Sequence, residues 1–141
     1  MKSIATLLSA AALGLSLTSG AAQAGELSVE VQGLTEMKGN LLVAVFNQKG
    51  QWLKQATLNK KTEVTQKVMS VQFDNLPEGE YAVSVFHDLN GNGRLDSNPV
   101  GMPIEPYGFS NNAPSNFGPP SYDAAKITLD QAKTVISIRV N

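Results

Sequence analysis

The chain of 141 residues contains no cysteine and only one histidine, His87. Without cysteine it can form no disulfide, no thiolate nucleophile and no lipid-anchored cysteine. A zinc site is excluded as well, because zinc needs several nitrogen or sulfur ligands. The stability of the fold must therefore come from packing or from a bound ion.

The sequence also lacks a strong excess of charge, with 11 basic and 12 acidic residues. Lys60 and Lys61 form the only adjacent basic pair. We therefore expect neither nucleic acid nor an anionic membrane surface as a partner. The longest apolar run, Ile4 to Leu17, is shorter than the roughly 20 residues of a transmembrane helix, so no membrane span is predicted.

The N-terminus has the three parts of a secretory signal peptide. Lys2 supplies the positive charge, the run from Ile4 to Leu17 supplies the apolar segment, and Ala22-Gln23-Ala24 supplies small residues for cleavage. A helix buried in the core is the alternative, and the small, polar residues 18–20 disfavour it. We predict a signal peptide at residues 1–24, a single domain at residues 25–141, and secretion to the periplasm.

The rest of the chain is typical of β-structure. Apolar and polar residues alternate with a period of two, and no segment keeps a helical period over three turns. Five segments carry this strand signal: 27–32, 69–73, 81–85, 127–129 and 136–140. A sixth, residues 40–47, is apolar on both faces, as expected of a central strand. We predict an all-β fold, an antiparallel β-sandwich of about seven strands, prealbumin-like or immunoglobulin-like.

Residues 75–79 predict a tight turn, because proline fixes one backbone angle and glycine accepts a positive φ. The pattern Leu76-Pro77-x-Gly79-x-Tyr81-x-Val83 resembles a corner of prealbumin-like and collagen-adhesin B-type sandwich domains. Residues 48–58 are expected to form a short helix or an irregular crossing. Within it, Trp52 and Leu53 are expected to fill the edge of the core rather than to bind a ligand.

One long segment, residues 97–123, has no periodicity. It holds six of the seven prolines together with the aromatic residues Tyr107, Phe109, Phe117 and Tyr122. Disordered segments are poor in aromatic residues, so we predict one long ordered loop packed over an end of the sandwich. End loops commonly carry the working surface of such folds.

Residues 88–96, which follow the predicted strand at 81–85, have the spacing of a calcium-binding loop. Side-chain oxygens recur at alternate positions, and a ninth-position carboxylate and a seventh-position carbonyl complete the pattern. The predicted calcium ligands are Asp88, Asn90, Asn92, the main-chain carbonyl of Arg94, Asp96 and, from the long loop, Glu105. Glu105 or Asp123 is needed because the twelfth position, where the closing carboxylate belongs, is Pro99.

The same residues also fit a turn that needs no metal. Asn-Gly is a strong hairpin-turn signal, and it occurs here at Asn90-Gly91 and at Asn92-Gly93. The spacing of the oxygens leaves both interpretations open.

His87 continues the apolar face of the strand before this loop and is expected to be a hydrogen-bonded histidine at the edge of the core. A small hydrolase with an acid and a base drawn from His87, Asp88 and Glu105 is the enzymatic alternative. A serine nucleophile would be Ser84 or Ser110, although no nucleophile-elbow motif surrounds either.

Two motifs carry a family resemblance. They are Phe86-His87-Asp88-x-Asn90-x-Asn92-Gly93-x-Leu95-Asp96 and Gly101-x-Pro103-x-Glu105-x-x-Gly108-Phe109-Ser110-Asn111-Asn112. The chain resembles, from Leu27 to the last strand, a widespread family of small periplasmic bacterial proteins classed as a domain of unknown function. The resemblance implies a secreted β-sandwich in a Gram-negative envelope and implies no activity. Transthyretin-like hydroxyisourate hydrolases share the sandwich, but their C-terminal Tyr-Arg-Gly-Ser and a second histidine are absent.

These patterns together favour a periplasmic binding or interaction module. In this hypothesis calcium makes the acidic loop rigid, and Glu105 fixes the long loop as a recognition surface. An envelope protein, a peptide or a glycan is the expected partner. The hydrolase and a purely structural envelope protein are the alternatives.

Overall fold

The computed structural model describes residues 24–141, which form eight strands in two sheets. The predicted signal peptide therefore lies almost entirely outside the described residues. The strands are β1 (Gly25–Gln32), β2 (Asn40–Phe46), β3 (Leu58–Glu63), β4 (Met69–Leu76), β5 (Gly79–Asp88), β6 (Tyr107–Phe109), β7 (Ile127–Leu129) and β8 (Lys133–Arg139). One short helix, α1 (Tyr122–Ala125), precedes β7. Within residues 24–141 no helix has the length and apolar character needed to cross a bilayer.

The first sheet has three strands in the order β4-β1-β8. Its central strand buries Leu27, Val29 and Val31, the alternate residues of the predicted pattern. β4 runs antiparallel to β1, but β8 runs parallel to it, with Val29 opposite Ile136. The all-β sandwich prediction is confirmed, and this parallel pair is the departure from a purely antiparallel arrangement.

The second sheet follows the order β3-β2-β5-β6, and β7 pairs with the start of β5. β2 and β5 are its central strands, with Val43 opposite Val85. β2 is apolar on both faces because its inner residues face the other sheet while its outer residues are also covered.

The main core lies between the sheets, where alternate residues of β1, β2, β4 and β5 pack together. A second apolar cluster lies on the outer face of the five-stranded sheet. It includes Phe46, Ala82, Phe109 and Tyr122, with Trp52 packed against them. Because this outer face is apolar, it must be covered by a further layer, and the long segment supplies that layer.

The long segment therefore packs differently from the prediction. Residues 97–123 were expected to lie over one end of the sandwich, whereas Phe109 and Tyr122 are buried on the outer face of the sheet. The segment also contributes β6, which pairs with β5 through Val85 and Gly108. β3 was not predicted either, because its residues are almost all polar and exposed at the sheet edge.

The predicted turn at residues 75–79 is confirmed. Asn75 adopts a φ of 58°, a left-handed conformation that asparagine tolerates. The hydroxyl of Tyr81 donates a hydrogen bond to the Pro77 carbonyl at 2.7 Å, which fixes the entry to β5. The crossing after β2 contains a single 3₁₀ turn at Lys49–Gln51, in agreement with the expected short helix.

Candidate functional site

The acidic loop, residues 88–96, begins where β5 ends. Asp88 is fully buried, and its carboxylate accepts three hydrogen bonds from the main chain of the loop. Oδ1 accepts from the N–H groups of Gly91 at 2.9 Å and Asn92 at 3.2 Å, and Oδ2 accepts from Gly93 at 2.7 Å. Gly91 and Gly93 adopt φ values of 73° and 78°, so both Asn-Gly pairs provide the left-handed positions that the bend requires.

Asp96 closes the surface side of the acidic loop. Its carboxylate accepts hydrogen bonds from the side-chain amides of Asn90 at 2.7 Å and Asn92 at 2.9 Å. The hydrogen bonds from Asn92 and Asn90, together with the charge of Arg94, lower the pKa of the Asp96 carboxyl group. The three side chains thus converge on one point at the surface.

Glu105 joins the acidic loop to the long segment. This side chain is buried, and its two oxygens accept hydrogen bonds from the N–H groups of Leu89 and Asp96, each at 2.9 Å. Two further main-chain hydrogen bonds, Ile104 to Asp96 at 2.9 Å and His87 to Pro106 at 2.8 Å, reinforce the junction. Both ends of the acidic loop are therefore fixed by one carboxylate from a distant part of the chain.

The structure thus brings the predicted calcium ligands into one loop and its junction. Asp88 and Glu105 use both oxygens on main-chain N–H groups, and Asn90 and Asn92 present amide hydrogens to Asp96. Asp123, the other candidate for closing the site, instead pairs with Lys49. Among residues 24–141 no group of three or more His, Cys, Asp or Glu side chains is arranged to hold a metal ion.

His87 is fully buried, and its Nε2 lies 2.7 Å from the Lys38 carbonyl oxygen, to which it can donate. The prediction of a hydrogen-bonded histidine at the core edge is confirmed. Ser110 is also buried, and its hydroxyl accepts from the Val83 N–H at 2.8 Å and donates to the Ala125 carbonyl. These groups hold the fold together at positions that solvent and substrate do not reach.

A larger apolar feature lies on the outer face of the five-stranded sheet. Here an open cavity of about 950 Å³, the apolar groove, runs between the hairpin of residues 97–103 and the segment 115–119. Its lining includes Phe46, Leu53, Val100, Met102, Phe109 and Phe117. None of the charged residues within 24–141 lines this groove.

The rim of the apolar groove carries large apolar side chains that face solvent. Val100 is 80% exposed and Met102 is 63% exposed, while Phe117 is fully exposed. Exposed apolar side chains clustered in a concave site are typical of surfaces that bind ligands or partners. Single exposed apolar residues are normal on a protein surface and do not indicate a binding site, but these three lie together in one groove.

Two residues at the rim also have unusual backbone conformations. In the described chain five residues other than glycine have positive φ, and three of them are asparagines. The other two are Leu53, with φ 55°, and Phe117, with φ 58°, and both line the groove. Bulky residues rarely adopt this conformation, and such strain often accumulates at functional sites.

Hydrogen bonds to residues outside the groove lining fix both walls of the groove. Asn98 accepts hydrogen bonds from the N–H groups of Val100 at 3.1 Å and Met102 at 3.0 Å, which shapes the hairpin. On the other side, the indole N–H of Trp52 donates to the Pro120 carbonyl at 2.8 Å. Trp52 also packs edge-on against Phe46, in the core position expected for it.

Sequence reasoning missed the groove residues Leu53, Val100, Met102 and Phe117. Leu53 was expected to fill the core edge, but it lies exposed at the rim. A signal was present in the long segment, where Val100, Met102 and Phe117 are large apolar residues outside any strand or helix period. Their exposure could not be read from the sequence, because it depends on which faces the tertiary structure leaves uncovered.

Comparison with known proteins places this arrangement in a family. No curated protein and no solved structure matches the sequence. A family model described as "Uncharacterized protein conserved in bacteria (DUF2141)" matches residues 29–137, from the first strand to the last. The match includes the acidic loop, Glu105 and both walls of the groove. The chain therefore belongs to this family of conserved bacterial proteins.

Proposed function

We propose that this protein is an exported binding module of the bacterial periplasm and that its ligand occupies the apolar groove. One observation carries the proposal: the two bulky residues with left-handed backbone, Leu53 and Phe117, both lie at the rim of this groove. Strain of this kind is maintained at a cost to stability, and a function in binding provides a reason for it.

The construction of the groove supports the same proposal. Glu105 fixes the start of the long segment, and Asn98 shapes the hairpin that carries Val100 and Met102. A wall that is ordered before binding loses little conformational entropy when a ligand arrives. In this proposal the acidic loop and Glu105 organise the recognition surface through hydrogen bonds.

The lining favours an apolar ligand over a glycan. Among the expected partners, an envelope protein or a peptide can supply apolar side chains, whereas a sugar needs many polar contacts. A groove of about 950 Å³ is also in the size range of small-molecule sites.

A neutral apolar dye tests this function directly. Nile red fluorescence should increase with wild-type protein and should increase much less with Val100→Ser. Val135→Ser is the matched control, because Val135 is also an exposed valine but lies on β8, outside the groove. Equal fluorescence with both variants would remove the support for the groove, and no enhancement with wild-type protein would favour a structural role without a ligand.

The export part of the proposal follows from the N-terminal signal pattern. Protein recovered from the periplasm of a Gram-negative host should begin at Gly25, give or take one residue. Recovery of the chain with Met1 intact from the cytoplasm would overturn the localisation.

Calcium binding remains a second proposal, supported by the convergence of Asn90, Asn92 and Asp96. Rotation of the two amide groups by half a turn would direct their oxygens towards the Asp96 carboxylate, where an ion could bind. The rotation and the loss of the existing amide hydrogen bonds oppose binding. The carboxylates of Asp88 and Glu105 already accept hydrogen bonds from main-chain N–H groups. We therefore expect a weak calcium site, with a dissociation constant on the order of 10⁻³ M.

The hydrolase alternative has less support. His87 and Asp88 are fully buried, and the oxygens of Glu105 hold main-chain N–H groups. None of these three residues lines the apolar groove. A general acid or base must reach the substrate within hydrogen-bond distance, and these groups offer no accessible surface for that.

A further inference from the structure

The two Asn-Gly pairs of the acidic loop are the sites in this chain at which deamidation is chemically easiest. Asn-Gly occurs at Asn90-Gly91 and Asn92-Gly93 and nowhere else in the sequence. In this reaction the main-chain nitrogen of the following residue attacks the side-chain carbonyl carbon of asparagine. Glycine favours the attack because it has no side chain and adopts many backbone conformations. Both asparagines are exposed, so water reaches them.

The reaction has two steps, described here for Asn90. The nitrogen of Gly91 loses its proton and bonds to Cγ of Asn90, the Cγ–Nδ2 bond breaks, and the Nδ2 group takes up a proton and leaves as ammonia. A cyclic imide remains. Water then opens the imide at one of its two carbonyls and gives aspartate or its isomer isoaspartate. Either product has a carboxylate where the amide was.

Asp88 holds both attacking nitrogens in the folded chain. The Gly91 N–H donates to Oδ1 of its carboxylate at 2.9 Å, and the Gly93 N–H donates to Oδ2 at 2.7 Å. Loss of either proton would leave a nitrogen anion beside a carboxylate that is fully buried, where two negative charges repel strongly. The acidic loop must therefore open before either nitrogen attacks.

Asp96 holds the two leaving groups. Its carboxylate accepts hydrogen bonds from Nδ2 of Asn90 at 2.7 Å and from Nδ2 of Asn92 at 2.9 Å. The side-chain oxygen of Asn92 is also held, because it accepts from the Arg94 N–H at 3.0 Å. These hydrogen bonds must break before either side chain turns its Cγ towards the attacking nitrogen.

We infer that Asn90 and Asn92 are latent deamidation sites, which the closed acidic loop protects and which react when the loop opens. A new carboxylate at either position faces the carboxylate of Asp96 in place of an amide donor. Deamidation thus replaces a hydrogen bond with a repulsion and favours the open loop. Since the two asparagines share Asp88 and Asp96, the first deamidation should speed the second. This inference does not depend on the apolar groove or its ligand.

Peptide mass spectrometry tests the protection. Wild-type protein is kept at mildly alkaline pH, either folded or unfolded in guanidinium chloride, and deamidation is followed at each asparagine separately. The folded protein should react at least about tenfold more slowly, because only the open loop reacts. Gly93 has Oδ2 of Asp88 to itself, whereas Gly91 shares Oδ1 with the Asn92 N–H. In the folded protein Asn92 should therefore react more slowly than Asn90.

Two variants identify the protecting groups. Asp88→Asn keeps the size of the side chain but has one oxygen fewer to accept hydrogen bonds, and it should speed the reaction in native buffer about fivefold. Asp96→Ala, at a partly exposed position, frees both amides and should act in the same direction. Asp130→Asn is the matched control at an exposed aspartate between β7 and β8, and it should leave the rate within about twofold of wild type. The fluorescence of Trp52 shows whether each variant is folded.

Three outcomes would contradict the inference. Equal rates in folded and unfolded protein would show that the loop gives no protection. A faster reaction in the folded protein would make Asp88 a general base for the attack, the opposite of its inferred effect. If Asp96→Ala and every folded Asp88 variant react no faster than Asp130→Asn, the two carboxylates are not the protecting groups, even where the folded wild type reacts slowly.

Discussion

The carboxylates of Asp88 and Asp96 in the acidic loop, and that of Glu105 beside it, accept hydrogen bonds from the chain itself. In the apolar groove, by contrast, Val100 and Phe117 leave most of their surface in water. In the loop the left-handed positions are glycines, which accept them without strain, whereas in the groove two of the positive-φ positions are the bulky residues Leu53 and Phe117.

This difference teaches where to look for function in such a chain. The acidic loop is the more conspicuous feature of the sequence, yet its polar groups already contribute to the fold. The groove is inconspicuous in the sequence, yet its apolar surface remains available to a ligand. Changes in the loop should therefore affect stability, and changes in the groove should affect binding.

The largest effect is expected from Asp88→Ala. It removes the acceptor of three main-chain hydrogen bonds and should lower the free energy of unfolding by about 3 kcal/mol. Denaturation with urea measures the loss. Asp130→Ala, at an exposed aspartate between β7 and β8, should change stability by less than about 0.5 kcal/mol. A loss below about 1 kcal/mol for Asp88→Ala would show that water replaces the carboxylate.

Calcium titration tests whether the acidic loop also binds an ion. At a hundredfold excess over its dissociation constant, an ion that binds only the folded state stabilises it by about 2.7 kcal/mol. Asp96→Asn should abolish this stabilisation, since it removes the anionic group on which Asn90 and Asn92 converge. Magnesium should be a poor substitute, because it demands a tighter octahedron. An unchanged melting temperature of the wild type in calcium would make the loop a structural turn only.

At Phe117 the cost of the left-handed backbone can be measured separately from the contribution of the ring to binding. Phe117→Gly should be more stable than Phe117→Ala by about 1 kcal/mol, because only glycine adopts a φ of 58° without strain. Both variants lose the same exposed ring and should weaken ligand binding equally. Equal stability of the two variants would mean that the loop relaxes out of the left-handed conformation.

The smallest effect concerns the pKa of Asp96. Hydrogen bonds from Asn92 and Asn90 keep this pKa below its ordinary value, so the pKa is lower in the folded than in the unfolded state. The contribution to stability is therefore present above the unfolded pKa and is lost as the pH falls through the folded pKa. In an NMR titration of the carboxyl group, Asn92→Ala should raise the pKa. An unchanged value would assign the shift to other groups.

Much of the fold could be predicted from the sequence because burial imposes a period of two. Leu27, Val29 and Val31 alternate with polar residues, so β1 was predicted within a few residues of its bounds. β3 was not predicted, because it lies at the edge of the sheet and has too few buried residues to produce an alternating pattern. β6 was not predicted, because a strand of three residues among prolines is too short to show alternation.

The candidate site was predicted only in part. The spacing of Asp88, Asn90, Asn92 and Asp96 predicted a calcium-binding loop closed by Glu105 or Asp123, and calcium binding stays a prediction. Of these two carboxylates it is Glu105 that accepts hydrogen bonds from the loop. The groove could not be predicted, because the exposure of Val100 and Phe117 is decided by the packing of distant segments.

The parallel pairing of β1 with β8 has a consequence for how the chain folds. β1 is the centre of its sheet, but β4 and β8 reach it only after the chain has passed through the other sheet. Such non-local pairing gives a high contact order and slow folding. Synthesis begins at the N-terminus, so one edge of β1 lacks its partner strand until residues 133–139 have been made. Completion of the core is thus delayed until nearly the whole described chain is present.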